Sequence, residues 1–274
     1  MKLFNLFRHD LTNGVLRWRY FAATGLFLFP SLQMANLLLL LEETGTWMDF
    51  LFYVFQGLEP MVNLSSLKRV QLPISWLLMI GGCLFLNLDY LLHDLTSAGQ
   101  QVLVRCNSRK AWYLSKCFWN TASCLVYFLI GIGTTLIVAL LTGAEIVLTD
   151  TPTITCSLFM LQNMVTLTSV QAVCIGLVLP LLTLVTINQI QMTLSLYVKP
   201  ILSFLVCISL LVIAIYANTP FAVGNGAMVI RSGYFSESGI DPGIACGVCI
   251  VAYLACVVLG TIRFQHTDIL GIDD

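Results

Sequence analysis

Residues 118–141 read FWNTASCLVYFLIGIGTTLIVALL and contain no charged side chain. An α-helix rises 1.5 Å per residue, so a run of this length spans about 36 Å, more than the ~30 Å of hydrocarbon in a bilayer. The run is continuous rather than alternating, which favours a membrane helix over a barrel strand. This stretch predicts an integral membrane protein built from helices.

The composition of the whole chain supports the same class. Of 274 residues, 58% are hydrophobic and 10% are charged, with a mean hydropathy of +0.89. Soluble domains carry roughly 25% charged residues, so a water-soluble globular fold and a disordered chain are both excluded. The net charge of −1 provides no basic field for nucleic acid.

Six apolar runs predict an all-α bundle of six spans. The predicted spans cover residues 20–41, 72–92, 118–141, 167–190, 198–217 and 244–262. We assign residues 20–274 to one transmembrane domain. Residues 1–19 place Leu3, Phe4, Phe7 and Leu11 on one helical face, which predicts an amphipathic interfacial helix. The alternative for residues 1–19 is a polar leader before the first span.

The distribution of lysine and arginine predicts the orientation. Ten of the thirteen basic residues fall at the N-terminus, in the connections after spans two and four, or after span six. Basic residues concentrate on the cytoplasmic side of membrane proteins. Both termini are therefore expected in the cytoplasm.

No catalytic or nucleotide-binding motif stands out in the sequence. GxxxxGK[ST], HExxH and GxSxG are all absent, and the Cys246-x-x-Cys249 pair has no partner set for zinc. We expect no enzyme activity, no cofactor and no metal in this chain. Acidic residues are also absent at mid-membrane depth, which argues against a proton- or sodium-coupled carrier.

Uncharged polar residues within the spans have two interpretations. They either line a translocation path for an amphipathic substrate or join helices by hydrogen bonds. The residues selected as a substrate path are Gln33, Asn36, Asn87, Asn188 and Gln189.

The connection after the second span is the most informative segment. Residues 93–116 read HDLTSAGQQVLVRCNSRKAWYLSK. Thr96 or Ser97 is suited to cap a helix over residues 96–107, and Leu103 gives that helix an apolar patch. Such a helix fits the groove of a cytoplasmic partner. The alternative is an ordinary basic loop.

The order of residues in this segment resembles the type-2 ABC exporter permeases of Gram-positive bacteria. The matching order is an acid, a glycine-containing helix, an arginine near a turn and a lysine that opens the next span. Residues 218–232, before the last span, match a stretch that often forms short re-entrant helices in that family. The residues that this resemblance assigns to ATPase coupling are Asp94, Gly99, Leu103, Arg105, Arg109 and Lys116.

The resemblance implies a permease subunit without its own ATPase, located in the plasma membrane of a bacterium. Two ABC ATP-binding subunits would bind ATP and magnesium, and a second permease subunit, identical or similar, would complete the transporter in the lipid membrane. The cargo implied is a peptide or an amphipathic toxin or antibiotic, in export or immunity. Two other classes remain open: a non-transporting scaffold or sensor that binds a peptide on residues 46–61, and an intramembrane enzyme.

Overall fold

Helices make up most of the chain, which a computed structural model describes at residues 18–59, 72–88, 90–95, 108–161, 163–236 and 238–266. Over these residues no β-strand forms, and only two isolated backbone bridges occur. The helices are α1 (Ala22–Leu41), α2 (Trp47–Val54), α3 (Ile74–Leu86), α4 (Tyr90–Leu95), α5 (Arg109–Leu141), α6 (Pro152–Phe159), α7 (Ser169–Leu194), α8 (Pro200–Tyr216) and α9 (Pro242–His266).

Four of these helices, α1, α5, α7 and α9, are long and apolar enough to cross a membrane. The prediction of an all-α membrane protein is confirmed at that level. Helices α3 and α8 are apolar but have only 13 and 17 residues, so the count of six spans stays a prediction. The proposed interfacial helix over residues 1–19 falls almost wholly outside the described residues, apart from a short 3₁₀ turn over Trp18–Phe21.

The second predicted span, residues 72–92, is interrupted in the structure. Helix α3 ends at Leu86, Asn87 follows as its C-terminal cap, and α4 begins at Tyr90. Asparagine favours helix ends because its side chain competes for hydrogen bonds with the backbone. Because residues 72–92 are apolar throughout most of their length, a hydropathy profile does not reveal this break in the helix.

Helix α5 lies centrally and packs against α1, α7 and α9. Gly131 allows α5 to approach α1 closely, since a Cβ atom at this position would lie 2.5 Å from the ring of Phe27. The ring of Phe27 in turn packs edge-on against Tyr127 and Phe55. Aromatic packing without intervening side chains therefore joins α1, α5 and the end of α2.

Two segments outside the four long helices are folded into the bundle. Helix α2 buries nearly all of its side chains, including Phe50, Leu51 and Phe52. In the short 3₁₀ turn over Val229–Arg231, Val229 N donates to Phe55 O at 2.9 Å, and the preceding turn, Val223–Ala227, packs against α7, α8 and α9. The sensor alternative requires a peptide-binding surface on residues 46–61, but the helical part of this segment is largely buried.

The charges of the described residues segregate to the two ends of the bundle. One end, which we call the basic end, carries Arg109, Lys110, Lys116, Lys199 and Arg263, together with the carboxylate of Asp94. The opposite end, the acidic end, carries Glu42, Glu43, Asp49, Glu145, Asp150 and Asp241, together with Arg231. This separation agrees in pattern with the charge bias found in the sequence.

Candidate functional site

A buried ion pair joins α4 to α5 at the basic end. Lys116 Nζ lies 2.7 Å from Asp94 Oδ2, and only 2% of the Lys116 side chain is exposed. The ammonium also lies 5.2 Å from the ring centre of Tyr90 and 4.9 Å from that of Trp112. Such ring faces attract a desolvated cation. We call this group, completed by Trp119 stacked on Tyr90, the clamp.

The clamp is connected to α9 as well. The Trp112 ring stacks on Phe264, with 4.8 Å between the ring centres. Arg109 donates through Nη1 to Gln265 O at 2.9 Å. Ser108 caps the first turn of α5 by accepting from Ala111 N. The ends of α4, α5 and α9 therefore form one packed unit.

The structure places the predicted coupling residues in two groups. Asp94 and Lys116 form the clamp, and Arg109 binds α9. Gly99, Leu103 and Arg105 lie outside the described residues, as does the proposed helix over residues 96–107. The side chain of Lys116 is thus buried in the bundle. Its position at the start of an apolar run does not predict that burial. Asp94 and Lys116, on either side of residues 96–107, are held together by their ion pair.

A network of hydrogen-bonded polar side chains joins the 3₁₀ turn over Trp18–Phe21 to α3, α5 and α7. Asn87 Oδ1 accepts from Tyr20 and Ser123, at 3.0 and 2.6 Å. Asn87 Nδ2 donates to Asn188 Oδ1 at 3.1 Å. Gln189 accepts from Asn120 and donates to Cys117 Sγ. The three predicted path residues Asn87, Asn188 and Gln189 therefore all make hydrogen bonds between helices.

A small cavity beside this network has room for about one water molecule. Its volume is about 10 Å³, and its lining includes Asn87, Asn120, Asn188 and Gln191. Gln191 Oε1 is buried there without a hydrogen-bond partner among the described residues. A cavity of this size with several polar groups suits a buried water, but it is too small for a peptide.

Gln33 and Asn36 lie elsewhere. Both are exposed on the outer surface of α1, and Gln33 Oε1 receives only a long contact of 3.5 Å from the Tyr53 hydroxyl. The structure therefore does not bring all five predicted path residues together. Two of them face away from the bundle, and the other three are packed inside it.

Arg231 is one of the three basic residues that the charge distribution predicts on the outer side, and the structure buries it. Arg231 is only 1% exposed, and its Nε donates to Leu58 O at 2.8 Å. Its Nη1 donates to Ala214 O and to Asn225 Oδ1, and its Nη2 to Ile215 O. Burial lowers the pKa of Arg231 to about 10, so it remains a cation at neutral pH.

Two buried carboxyl groups organise the acidic end. Asp49 accepts from Thr46 N at 2.8 Å, closing a capping box on α2, and from Thr151 N at 3.0 Å. Asp150 accepts from the Thr155 hydroxyl through Oδ2, while its Oδ1 is buried without a partner among the described residues. Burial raises the pKa of both carboxyl groups.

Asp150→Asn is expected to stabilise the protein at pH 8 and to have little effect at pH 4. The pKa of Asp150 is higher in the folded chain than in the unfolded chain, so its ionisation destabilises the fold as pH rises through the folded value. We expect a gain of about 1 kcal/mol at pH 8, because a charged acceptor is no longer buried unpaired. Thermal unfolding of both proteins at the two pH values measures it, and an equal effect at both would contradict it.

Among the residues that the structure describes, no group of three or more His, Cys, Asp or Glu side chains is placed to hold a metal ion. The nine cysteines among them are all free, and five of these are buried. They act as small apolar residues in helix packing.

Comparison with known proteins gives the family of this chain. Residues 32–270 match the family described as "Protein of unknown function (DUF2705)", so the chain belongs to that family. No curated protein and no solved structure matches it significantly.

Proposed function

We propose that this protein is the transmembrane permease subunit of an ATP-driven exporter of the type-2 ABC kind. In this proposal it forms the substrate path and couples to two separate ATP-binding subunits, and its cargo is a peptide or an amphipathic toxin or antibiotic. The observation that carries the proposal is the clamp, which fixes both ends of the segment that would contact an ATPase. No catalytic step is assigned to the chain itself.

Coupling requires that a push on residues 96–107 moves whole helices. Asp94 precedes this segment and Lys116 follows it, and their 2.7 Å contact is largely shielded from water. Ion pairs are stronger in a low dielectric, so α4 and α5 resist separation. A force on the segment would then move α4 and α5 together instead of bending the segment alone.

The movement would be transmitted beyond the clamp by the contacts of its neighbours. Trp112 and Arg109 join α5 to the end of α9. The Asn87–Asn188 hydrogen bond joins the end of α3 to α7. Helices on both sides of α5 are thereby connected to the segment that the ATPase would move.

The substrate path would not run through the interior of one subunit in this conformation. Asn87, Asn188 and Gln189 are packed, and the cavity beside them has a volume of about 10 Å³. Gln33 and Asn36 face outward from α1. A path that used the latter pair would therefore lie between two permease subunits.

The alternative of a peptide sensor receives less support from the geometry. It depended on an exposed apolar helix within residues 46–61, and the side chains of Phe50, Leu51 and Phe52 are fully buried. A peptide would have to displace the core of the acidic end to reach them.

The combined variant Arg105→Glu, Leu103→Ala is expected to release the ATPase while leaving the bundle intact. Arg109 is unsuitable for this test because it holds α9 through Gln265 O. We expect the amount of ATPase activity that copurifies with the full-length chain from its native membrane to fall at least tenfold. Reversing one charge and removing an apolar contact at an interface commonly costs more than about 1.4 kcal/mol.

Lys199→Glu is the matched control, since it makes the same charge reversal at an exposed position of the basic end outside this segment. It should retain the ATPase. The proposal is wrong if the combined variant keeps its ATPase like the unmodified chain, or if the unmodified chain exports in vesicles without any nucleotide-hydrolysing subunit.

A further inference from the structure

A cavity of about 360 Å³ lies at the acidic end, between the C-terminal ends of α1 and α5. One side of it is aliphatic, with Ala35, Leu38 and Leu39 of α1. The other side carries the exposed residues Glu42 and Glu43. Small-molecule sites usually have volumes of about 300–1,000 Å³ and combine an apolar lining with a few polar groups. The cavity meets both conditions, and we call it the acidic pocket.

The walls of the acidic pocket are fixed by contacts between two connections of the chain. Glu145 N donates to Gly45 O at 3.0 Å, and Trp47 N donates to Glu145 O at 2.9 Å. The connection after α1 therefore lies beside the connection after α5. The carboxylate of Glu43 accepts from the Thr153 hydroxyl at 2.8 Å. This neutral donor orients the carboxylate but leaves its negative charge uncompensated.

The electrostatics of the acidic pocket favour a cation. Helix α1 ends at Leu41 and α5 at Leu141, and the C-terminal ends of helices carry a partial negative charge. Glu42 is the C-cap of α1 and Glu43 follows it, so two full negative charges are added where the helix dipoles already repel them. Among the residues that the structure describes, no lysine or arginine forms an ion pair with either carboxylate. A cation bound here would reduce all of these repulsions together.

The aliphatic side of the acidic pocket restricts the kind of cation. A calcium ion takes six to eight oxygen ligands, whereas the α1 side chains of the pocket offer none. In the described part of the chain, no group of three or more His, Cys, Asp or Glu side chains is placed to hold a metal ion. Leu40 and Leu141, each adjacent in sequence to a lining residue, are 81% and 82% exposed, so the aliphatic surface continues outward. The pocket therefore suits an organic cation with a positive group at one end and an aliphatic body at the other.

A second cavity, between α7 and α8, shows what the carboxylates add. Its volume is about 230 Å³, and its lining, which includes Ile187 and Ile190 of α7 and Leu210 and Ile213 of α8, contains no carboxylate and no basic side chain. Such a surface suits any apolar chain, a lipid acyl chain included. The acidic pocket differs because its charged rim also selects for a positive group.

We propose that the acidic pocket binds an amphipathic amine, with its ammonium group between the carboxylates of Glu42 and Glu43. Its aliphatic body would pack against Leu38 and Leu39 of α1. Hydrogen bonds between an ammonium and a carboxylate are among the strong ones, because both partners are charged. Burial of the aliphatic body adds a hydrophobic contribution in proportion to the area removed from water. This inference does not depend on the permease proposal, because binding at the acidic end requires neither an ATPase nor export.

Titration calorimetry with octylammonium chloride tests the proposal on the full-length chain in phosphatidylcholine nanodiscs, with the heat from protein-free nanodiscs subtracted. The unmodified chain should bind octylammonium saturably. The double variant Glu42→Gln, Glu43→Gln keeps the size of both side chains but removes their charges, so the dissociation constant should rise about tenfold. Glu145→Gln is the matched control, since Glu145 is an exposed carboxylate of the same end that does not line the pocket. It should bind like the unmodified chain, and 1-octanol, which has the same body without the charge, should bind about tenfold more weakly.

The shape of the acidic pocket and access to it are tested separately. Thr142→Trp fills the pocket but keeps both carboxylates, so it should weaken octylammonium binding, whereas Leu141→Trp, outside the pocket, should not. Thr44→Cys, at the exposed rim, should react with a charged, water-soluble maleimide above the background of the native cysteines. Octylammonium should slow that reaction.

Several results would overturn the proposal. The double variant could bind octylammonium like the unmodified chain, or Glu145→Gln could weaken binding equally, which would indicate general charge attraction. 1-Octanol could bind as tightly as octylammonium, which would indicate recognition of the apolar chain alone. Calcium chloride could displace octylammonium at equal concentration, which would indicate a metal site. Finally, Thr44→Cys could fail to react, which would show that the pocket is covered. Loss of ATPase copurification in the previous test would leave all of these measurements unaffected.

Discussion

Arg231→Met is expected to lower the free energy of unfolding by about 3–5 kcal/mol. The guanidinium donates to Leu58 O, Ala214 O, Ile215 O and Asn225 Oδ1 at a position that is 1% exposed. A methionine side chain fills the same space but donates nothing, so these buried acceptors lose their partner. Each buried acceptor left unsatisfied costs roughly 1–3 kcal/mol.

The position of Arg231 explains why the loss of stability in Arg231→Met should be concentrated at the acidic end. Ala214 and Ile215 belong to the last turn of α8, where carbonyl groups lack partners within the helix and the helix dipole attracts a cation. Leu58 follows α2. The arginine therefore joins the end of α8, the end of α2 and the 3₁₀ turns of the acidic end. We expect faster proteolysis in the connection over residues 217–241 together with the lower unfolding temperature.

Two further variants make this prediction specific. Arg231→Lys keeps the charge but presents a single ammonium in place of a planar fork, so it should recover less than half of the loss. Arg263→Met removes an exposed arginine that lies 5.0 Å over the Tyr197 ring, and it should cost less than about 1 kcal/mol. Because the pKa of Arg231 is about 10, the loss should be constant between pH 5 and about pH 8. A variant that unfolds like the unmodified chain would contradict the role given to Arg231.

How far the sequence predicts this fold depends on the kind of signal. Apolar runs predicted the class and the approximate positions of the four long helices. They missed the start of α5, which begins at Arg109 with a Ser108 cap instead of at residue 118, because hydropathy records the apolar run and not the helix that extends beyond it. Likewise, α2 is as apolar as a membrane-facing helix, and nothing in its sequence distinguishes burial in the bundle from exposure to lipid.

The candidate site was less accessible from the sequence, for a physical reason. Basic residues ordinarily lie in water. The sequence therefore predicts that Arg231 faces solvent and that Lys116 faces solvent or a partner protein. Arg231 is satisfied by carbonyl groups of distant segments, and the Lys116 ammonium by Asp94 and two aromatic rings. These partners come from segments that are distant in the sequence. Which segments meet depends on how the helices pack, and one sequence alone does not specify that packing. The roles proposed for Leu103 and Arg105 remain predictions.

Asp94→Leu and Lys116→Met should each destabilise the protein by about 3–5 kcal/mol, whereas the double variant should be near the unmodified chain in stability. Either single change removes the 2.7 Å contact and leaves the other charge in a site that is largely shielded from water, which is the costly condition. Replacing both removes the charges together, and apolar side chains fill the same space between Tyr90 and Trp112. The coupling energy obtained from the four unfolding free energies, measured by thermal or denaturant unfolding, tests this.

The double variant also separates a structural from a functional role of the clamp. If Asp94 and Lys116 only stabilise the fold, the double variant should bind the ATPase and export cargo like the unmodified chain. If the ion pair transmits force between α4 and α5, the double variant should retain its fold and its ATPase but hydrolyse ATP with reduced export per ATP, because apolar contacts slide more readily than a directional 2.7 Å pair. Lys199→Met, at an exposed position of the same end, provides the control for loss of a positive charge. A double variant destabilised by the sum of the two single losses would show that the two residues act independently and that no clamp exists.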